Sequence, residues 1–217
     1  MSSLKDAITA YQVSFREKVP TTVQELMKSV TADLKAAKLT GNTLQVGDTF
    51  PAFTLFDTQG KKVDASLFKE QDFTIINFYR GGWCPYCNLE LKALQTNLNI
   101  FSSLNAKLIS ISPQTVDHSL LTAEKNALTF PVLSDPNNTL AKACGLVFVL
   151  PESLRPIYAS FGIDVANSNG EDSFELPMPA SFIIDAKGVI RYAFVDEDYT
   201  LRIEPDTLVD ALKTLAG

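Results

Sequence analysis

Basic clusters, long apolar runs and histidine are all scarce in this chain of 217 residues. Lys and Arg number 19 against 25 Asp and Glu, so the formal net charge is -6 and the pI is near 4.8. Nucleic acids and anionic membranes attract clustered basic side chains, so we expect neither as a partner. The longest apolar run, residues 145–150, is far too short to span a bilayer.

The amino terminus also lacks the basic start and apolar stretch of a secretory signal. We therefore expect a cytoplasmic protein, in which thiols stay reduced. In that compartment, two cysteines close in sequence are more typical of catalysis or metal binding than of a structural disulfide.

Histidine and cysteine, the usual ligands of structural zinc, are equally few. The chain offers only His118 and the cysteines Cys84, Cys87 and Cys144 as zinc ligands of the usual kind. A structural zinc site would need a second closely spaced pair, and Cys144 and His118 lie in different predicted elements. We predict no metal and no organic cofactor, with Cys144 as a buried filler and His118 at the surface. A zinc-holding or purely binding module stays open as an alternative.

Hydrophobic periodicity predicts two helices at the start of the chain. Apolar residues recur at spacings of three and four through residues 4–15, and a second helix follows Pro20. Thr22 and Glu25 have the spacing of a capping box for that helix. We assign residues 1–42 to an N-terminal helical extension, which either packs on its own domain or pairs with a second copy in a homodimer.

Strand and helix patterns alternate through residues 43–217, the predicted main domain. Strands are predicted at 52–56, 73–79, 107–112 and 131–133, helices at 85–101, 114–126 and 138–144, then a hairpin at 181–185 and 189–195 and a last helix at 205–215. This order predicts an α/β fold with a central mixed β-sheet flanked by helices. The least regular stretch, about 147–178, is predicted to be an insertion with a helix near 152–158.

The segment FYRGGWCPYCNLE at 78–90 joins a buried strand to a helix and holds two cysteines. Pro85 suits the first helical position, so Cys84 becomes the cap residue, where free N–H groups and the helix dipole favour a thiolate. Cys87 shares a face with apolar residues of the helix, so we expect it to be shielded and Cys84 exposed. Such a pair can attack a target and then resolve the adduct internally.

Three more side chains complete the predicted site. We expect Arg80 to contribute positive charge near the cysteines. Trp83 is predicted to form a rim for a docked substrate, because it directly precedes Cys84. Tyr86, between the two cysteines, is predicted to be exposed and to tune access.

From Val46 to Val195 the chain resembles the peroxiredoxin (AhpC/TSA) family of the thioredoxin superfamily, and most closely its CxxC-containing branch. The matching segments are VGDTFPAFTLFD at 46–57, FYRGGWCPYCNLEL at 78–91, FPVLSDPNNTLAKACGL at 130–146 and PMPASFIIDAKGVIR at 177–191. The resemblance implies a thioredoxin-like fold and an antioxidant oxidoreductase that reduces hydroperoxides or disulfides through a Cys84–Cys87 cycle. It also implies a thiol electron donor such as thioredoxin or glutathione.

Two alignments of the active site stay open within this resemblance. A thioredoxin-type WCxxC makes Cys84 the nucleophile and Cys87 the resolving residue. The peroxiredoxin register instead places the peroxidatic position on Cys87, with Glu90 as the family glutamate and Cys84 where peroxiredoxins have threonine. The predicted shielding of Cys87 favours Cys84.

The sequence departs from peroxiredoxins at the groups that activate peroxide. Pro179 stands where peroxiredoxins have an arginine and thioredoxins a cis-proline that shapes the substrate groove, and Arg80 stands where peroxiredoxins have proline. Each missing donor to the leaving oxygen is worth about 3 kcal/mol at the transition state. A thiol–disulfide oxidoreductase with little peroxidase activity is therefore the main alternative. Asn77 lies where thioredoxins bury an aspartate that takes the proton of the resolving cysteine.

Overall fold

The computed structural model describes residues 3–217 of the chain. Its helices are α1 (Leu4–Lys18), α2 (Thr21–Ala36), α3 (Pro85–Thr96), α4 (Leu98–Ser103), α5 (Val116–Lys125), α6 (Thr139–Ala143), α7 (Arg155–Ser160), α8 (Val165–Asn169) and α9 (Pro205–Ala216). Its strands are β1 (Thr54–Asp57), β2 (Lys62–Asp64), β3 (Phe73–Phe78), β4 (Ala106–Ser112), β5 (Val132–Ser134), β6 (Val147–Val149), β7 (Glu175–Pro177), β8 (Ala180–Asp185) and β9 (Ile190–Val195). Within this part of the chain, no helix combines the length and the apolar character that crossing a membrane requires.

Seven strands form one sheet in the order β2-β1-β5-β4-β3-β8-β9. The central strands β3, β4 and β5 run parallel, whereas β1, β8 and β9 are antiparallel to their neighbours. The mixed sheet with flanking helices confirms the predicted fold class.

The helix starts differ from the sequence prediction at the amino terminus. The capping box predicted for Thr22 and Glu25 is wrong, because α2 begins directly after Pro20 and has no side-chain cap. A capping box does form at the start of α1, where Ser3 and Asp6 each accept a hydrogen bond from the other's backbone N–H.

The single helix predicted at 85–101 is two helices in the structure, because the chain leaves helical geometry at Asn97. The Asn97 amide donates a 3.0 Å hydrogen bond to the carbonyl of Ala93 one turn back, which competes with regular helix continuation. This break lies at the end of α3, so the start of that helix, where the two cysteines lie, is unaffected.

Apolar side chains fill both faces of the sheet, because neighbouring strand residues point to opposite sides. Ile75 packs with Leu91 of α3, Leu208 of α9 and Leu4 of α1 on one face. Ile76 packs with the phenylalanine-rich core on the other face. The helix α1 therefore belongs to the same core as the cysteine-bearing helix.

The segment predicted as an insertion at 147–178 holds a small sheet of its own, in which β6 pairs antiparallel with β7. Leu154 and Tyr158 of this segment pack against Met27 and Val30 of α2. Both N-terminal helices thus pack on their own chain, α1 against α3 and α2 against the segment at 147–178.

Candidate active site

The loop between β3 and α3 is held in a shape that requires glycine. Gly81 has a φ of 151°, and a side chain there would collide with the indole of Trp83. A side chain at Gly82 would collide with Thr122 of α5. The Gly82 N–H instead donates a 2.9 Å hydrogen bond to the Gln114 side chain, which fixes the loop against the end of β4.

Cys84 is the N-cap residue of α3 and Pro85 is its first helical residue, as the sequence predicts. The expectation that Cys84 is exposed is wrong, since only 2% of its surface is accessible. Helix α1 lies over the start of α3 and covers it, and no spacing within residues 78–90 reveals that contact. Cys87 is fully buried one turn further on.

Tyr86 is also buried, at 6% exposure, and the prediction that it is exposed is wrong. Its ring meets Tyr11 of α1 edge-on with a centroid distance of 5.2 Å, and Tyr199 edge-on at 5.5 Å. Burial raises the pKa of Tyr86 to about 12, so the phenol stays neutral. Tyr86 is therefore part of an aromatic wall and not an access residue on the surface.

Cys84 opens onto a cavity of about 330 Å³ between α1, α2 and the loop that joins β3 to α3. Seven of its fifteen lining residues are aromatic, among them Tyr11, Phe15, Trp83, Tyr158 and Tyr199. Pro85 also lines this cavity and Cys87 does not, so the cavity reaches only one of the two thiols.

Arg80 lines the same cavity with a fully buried guanidinium. Its Cζ lies 4.7 Å from the ring centroid of Tyr199 and 5.1 Å from that of Trp83, both within cation–π range. Its Nη2 donates to the Tyr158 hydroxyl, while its Nε has no hydrogen-bond partner. Burial opposes the charge, but Tyr158 and the two thiols outweigh it and raise the pKa of Arg80.

The two thiols have opposite acidity. Burial alone would raise the pKa of Cys84, but a hydrogen bond from Cys87 and the charges of Arg80 and Arg202 lower it to about 5. Burial, together with the hydrogen bond and charge of the Cys84 thiolate, raises the pKa of Cys87 well above 9. These shifts favour the thiolate on Cys84 and the thiol on Cys87 at neutral pH.

A second buried cation lies beneath the cysteines, and the sequence analysis did not identify it. Arg202 lies in the segment before α9, and its Nη2 donates a 3.3 Å hydrogen bond to the Cys87 sulfur. Its Nε lies 2.9 Å from Oε2 of Glu90 in a fully buried ion pair. The only signal in the sequence is an arginine between two apolar residues, Leu201 and Ile203.

Pro179, in contrast, lies apart from this cavity. It is buried next to β8, and no peptide bond within residues 3–217 is cis, so the cis-proline suggested by the thioredoxin resemblance is wrong. The substrate-groove role expected for Pro179 does not extend to the cavity at Cys84, because Pro179 does not line it.

The remaining candidate ligands are dispersed. Cys144 is fully buried, as predicted, and burial raises its pKa to about 12. His118 is half-buried and contacts Thr115 through Nδ1 at 2.9 Å. No group of three or more His, Cys, Asp and Glu side chains able to hold a metal occurs in residues 3–217.

Comparisons with known proteins identify the family to which the chain belongs. The AhpC/TSA family model matches residues 46–193. A putative peroxiredoxin of Mycobacterium tuberculosis is 31% identical over 102 residues, which cover 47% of this chain and 64% of that protein, so less than two thirds of this relative is matched. Peroxiredoxin Bcp of Escherichia coli is 25% identical over 172 residues, which cover 79% of this chain and 97% of that protein.

Solved structures agree on the fold. Peroxidoxin BcpB from Mycobacterium tuberculosis superimposes with a TM-score of 0.62 at 20% identity, covering 79% of this chain and 98% of that one. Peroxiredoxin Q from Xanthomonas campestris gives 0.59 at 18% identity, covering 81% and 99%. The family model covers more than half of the chain, including the cysteine-bearing junction of β3 and α3, and the chain belongs to the AhpC/TSA family.

Proposed function

We propose that this protein is a thiol-dependent peroxidase in which Cys84 reacts with a hydroperoxide and Cys87 resolves the product. One observation carries the proposal: Cys84, favoured as a thiolate, and the buried cation Arg80 line the same aromatic cavity. The cavity supplies a place for the substrate, and the guanidinium supplies a donor for the oxygen that leaves.

In the first step the Cys84 thiolate attacks the terminal oxygen of the hydroperoxide. The O–O bond breaks, a sulfenic acid forms on Cys84, and the second oxygen leaves as an alkoxide that takes up a proton to become the alcohol. Sulfur is oxidised by two electrons and the peroxide is reduced by two. Arg80 is the group we expect to stabilise the alkoxide, in place of the threonine and arginine that the family resemblance leads one to expect.

In the second step Cys87 attacks the sulfur of Cys84. An S–S bond forms, and the hydroxyl group of the sulfenic acid leaves as water with the proton of Cys87. Two equivalents of an external thiol then return the disulfide to the dithiol and leave as their own disulfide. The cycle starts from the dithiol form, and Cys84, Cys87 and Cys144 are all free thiols in the structure.

The cavity favours a hydroperoxide with an apolar group over a protein disulfide. A volume of about 330 Å³ with aromatic walls suits a small organic molecule. A protein disulfide would have to reach Cys84 beneath α1, where only 2% of the surface of this residue is exposed. A thiol–disulfide oxidoreductase that acts on proteins is therefore the weaker candidate.

Access also bears on the electron donor. A small thiol such as glutathione can enter the cavity, whereas thioredoxin would require α1 to move away from the disulfide. We therefore propose a small thiol as the reductant, in a reducing compartment such as the cytoplasm. We also propose that the catalytic domain begins at residue 43 and that α1 and α2 form an N-terminal extension of it. Homodimer formation stays a prediction, to be measured by light scattering.

The test is the second-order rate constant of the reduced protein with cumene hydroperoxide and with hydrogen peroxide. Trp83, the only tryptophan in the chain, reports the reaction by fluorescence. We expect a rate constant at least about 100-fold above that of a free thiolate, since one oxyanion donor contributes a factor of 10² to 10³.

Three cysteine variants serve as controls for this rate. Cys84→Ser should abolish the fast reaction, Cys87→Ser should stop at the sulfenic acid, and Cys144→Ser should react as the parent does. A rate equal to that of a free thiolate would contradict the peroxidase proposal. Full reactivity of Cys84→Ser combined with loss in Cys87→Ser would reverse the two roles.

A further inference from the structure

The resolving thiol is placed where no solvent reaches it, so its proton needs an acceptor inside the protein. Cys87 has no exposed surface and does not line the cavity. Asn77, which is also fully buried, cannot accept a proton as a carboxylate would. A carboxylate that is electrostatically coupled to this thiol is Glu90, about one helical turn further along α3.

Arg202 connects these two groups. Its Nη2 lies 3.3 Å from the Cys87 sulfur and its Nε lies 2.9 Å from Oε2 of Glu90. The Nε–H of Arg202 does not point at Oε2 of Glu90, so the contact between them is an ion pair without a well-formed hydrogen bond. The guanidinium is itself held by the carbonyls of Tyr199 and Leu201, the latter at 2.7 Å.

The charges of the site change in an order that suits resolution. In the reduced state Arg80 and Arg202 face the Cys84 thiolate, whose negative charge disfavours ionisation of Cys87. When Cys84 becomes a sulfenic acid or a mixed disulfide, that charge is gone while both guanidinium groups remain. Cys87 is then left beside a cation with no competing thiolate, and it ionises more easily.

We propose that Glu90 accepts the proton of Cys87 during resolution, and that Arg202 is a positioning residue that orients Glu90 and stabilises the nascent Cys87 thiolate. The proposal rests on the proposed function, in which Cys84 reacts first. The S–H bond of Cys87 breaks, its proton goes to a Glu90 oxygen, and its electron pair forms the S–S bond with Cys84. The departing hydroxide, or the departing thiolate of a mixed disulfide, then takes the proton from Glu90.

The titratable and charged groups that face Cys87 come from three parts of the fold: Cys84 and Glu90 on α3, Tyr79 and Arg80 after β3, and Arg202 before α9. Burial raises the pKa of Tyr79, so this phenol stays neutral. Burial, partly offset by the charge of Arg202, raises the pKa of Glu90 to about 8, close to the value a proton acceptor needs at neutral pH.

The experiment is single-turnover oxidation of the reduced protein, followed by Trp83 fluorescence over a range of pH. The first phase depends on peroxide concentration, and the second, which is resolution, does not. The parent protein should resolve faster as the pH rises through about 8. Glu90→Gln should slow resolution by at least about tenfold and remove this pH dependence, and dimedone should then trap the accumulated Cys84 sulfenic acid.

Two conservative variants separate proton transfer from packing. Glu90→Asp keeps a carboxylate and should regain part of the rate with its pH dependence. Arg202→Lys keeps the charge and should be affected less than Arg202→Met. Glu70→Gln, at an exposed ion pair with Lys107, is the matched control and should resolve as the parent does. Unfolding curves of each variant verify that it is folded.

A second substrate keeps the proposal separate from the peroxidase activity. An aromatic disulfide, 5,5′-dithiobis(2-nitrobenzoate), forms a mixed disulfide with Cys84, and resolution by Cys87 releases a second coloured thiolate. This arm works even if peroxide reacts slowly, in which case only the proposed function fails. The role of Glu90 would be overturned if Glu90→Gln resolved at the parent rate, or if its pH profile matched that of the parent in both arms. Equal slowing of the peroxide-dependent phase and of the resolution phase would overturn it as well.

Discussion

Replacing Arg80 with methionine removes a buried charge from beside Cys84 while keeping a long side chain in the aromatic cluster. An opposite charge within about 4–6 Å lowers the pKa of an acidic group by about 1–3 units, and a shift of ~2 units corresponds to ~3 kcal/mol. Arg202 remains in the variant and continues to favour the thiolate. We therefore expect the pKa of Cys84 to rise from about 5 to ~7.

This shift has a defined consequence for reactivity. The pKa of Cys84 is lowered in the folded protein, so the reactive thiolate is present above this pKa and lost below it. Near pH 6 the ionised fraction should fall from about 0.9 in the parent to ~0.1 in the variant, a loss of about tenfold. Near pH 9 both proteins are ionised, and any loss of peroxide reactivity that remains measures the donor role of Arg80 at the transition state.

Alkylation by iodoacetamide as a function of pH, followed by mass spectrometry at Cys84, measures the first effect. Peroxide kinetics at both pH values measure the second. Arg80→Lys is the matched variant, because it keeps the charge and should keep most of the acidity of Cys84. A parent thiol that titrates near 9, or an Arg80→Met protein with unchanged titration, would refute the electrostatic reasoning.

Three further changes test the cavity, the loop and the core. Phe15→Ala enlarges the cavity under α1 and should lower the ratio of kcat/KM for cumene hydroperoxide to that for hydrogen peroxide by about tenfold, as stopped-flow kinetics will measure. Gly82→Ala forces a collision with Thr122 and should lower the melting temperature and the reactivity of Cys84 together; a fully active variant would contradict this geometry. Phe101→Ala empties a fully buried core position and should reduce the free energy of unfolding in urea by about 3–5 kcal/mol, with a loss under 1 kcal/mol contradicting the packing.

Local patterns account for the part of the site that the sequence predicts. Pro85 starts α3, and this places Cys84 at the helix cap and Cys87 one turn later on the buried face. The prediction succeeds because helix start and helix face depend on a few neighbouring residues. The same reasoning failed for Thr22 and Glu25, because Pro20 starts α2 two residues earlier than the capping box requires.

The order of strands and helices in the sequence determined the mixed α/β fold, because hydrophobic period and strand–helix alternation limit the topologies available. The same short-range patterns identified the cysteines as candidate reactive residues and placed Cys84 at the cap of α3 and Cys87 on its buried face. Only the tertiary structure decided that α1 covers Cys84, that an aromatic cavity forms beside Arg80, and that Arg202 meets Cys87 from 115 residues away. These contacts join segments distant in the chain, and they depend on how helices pack over the sheet, which no local spacing records.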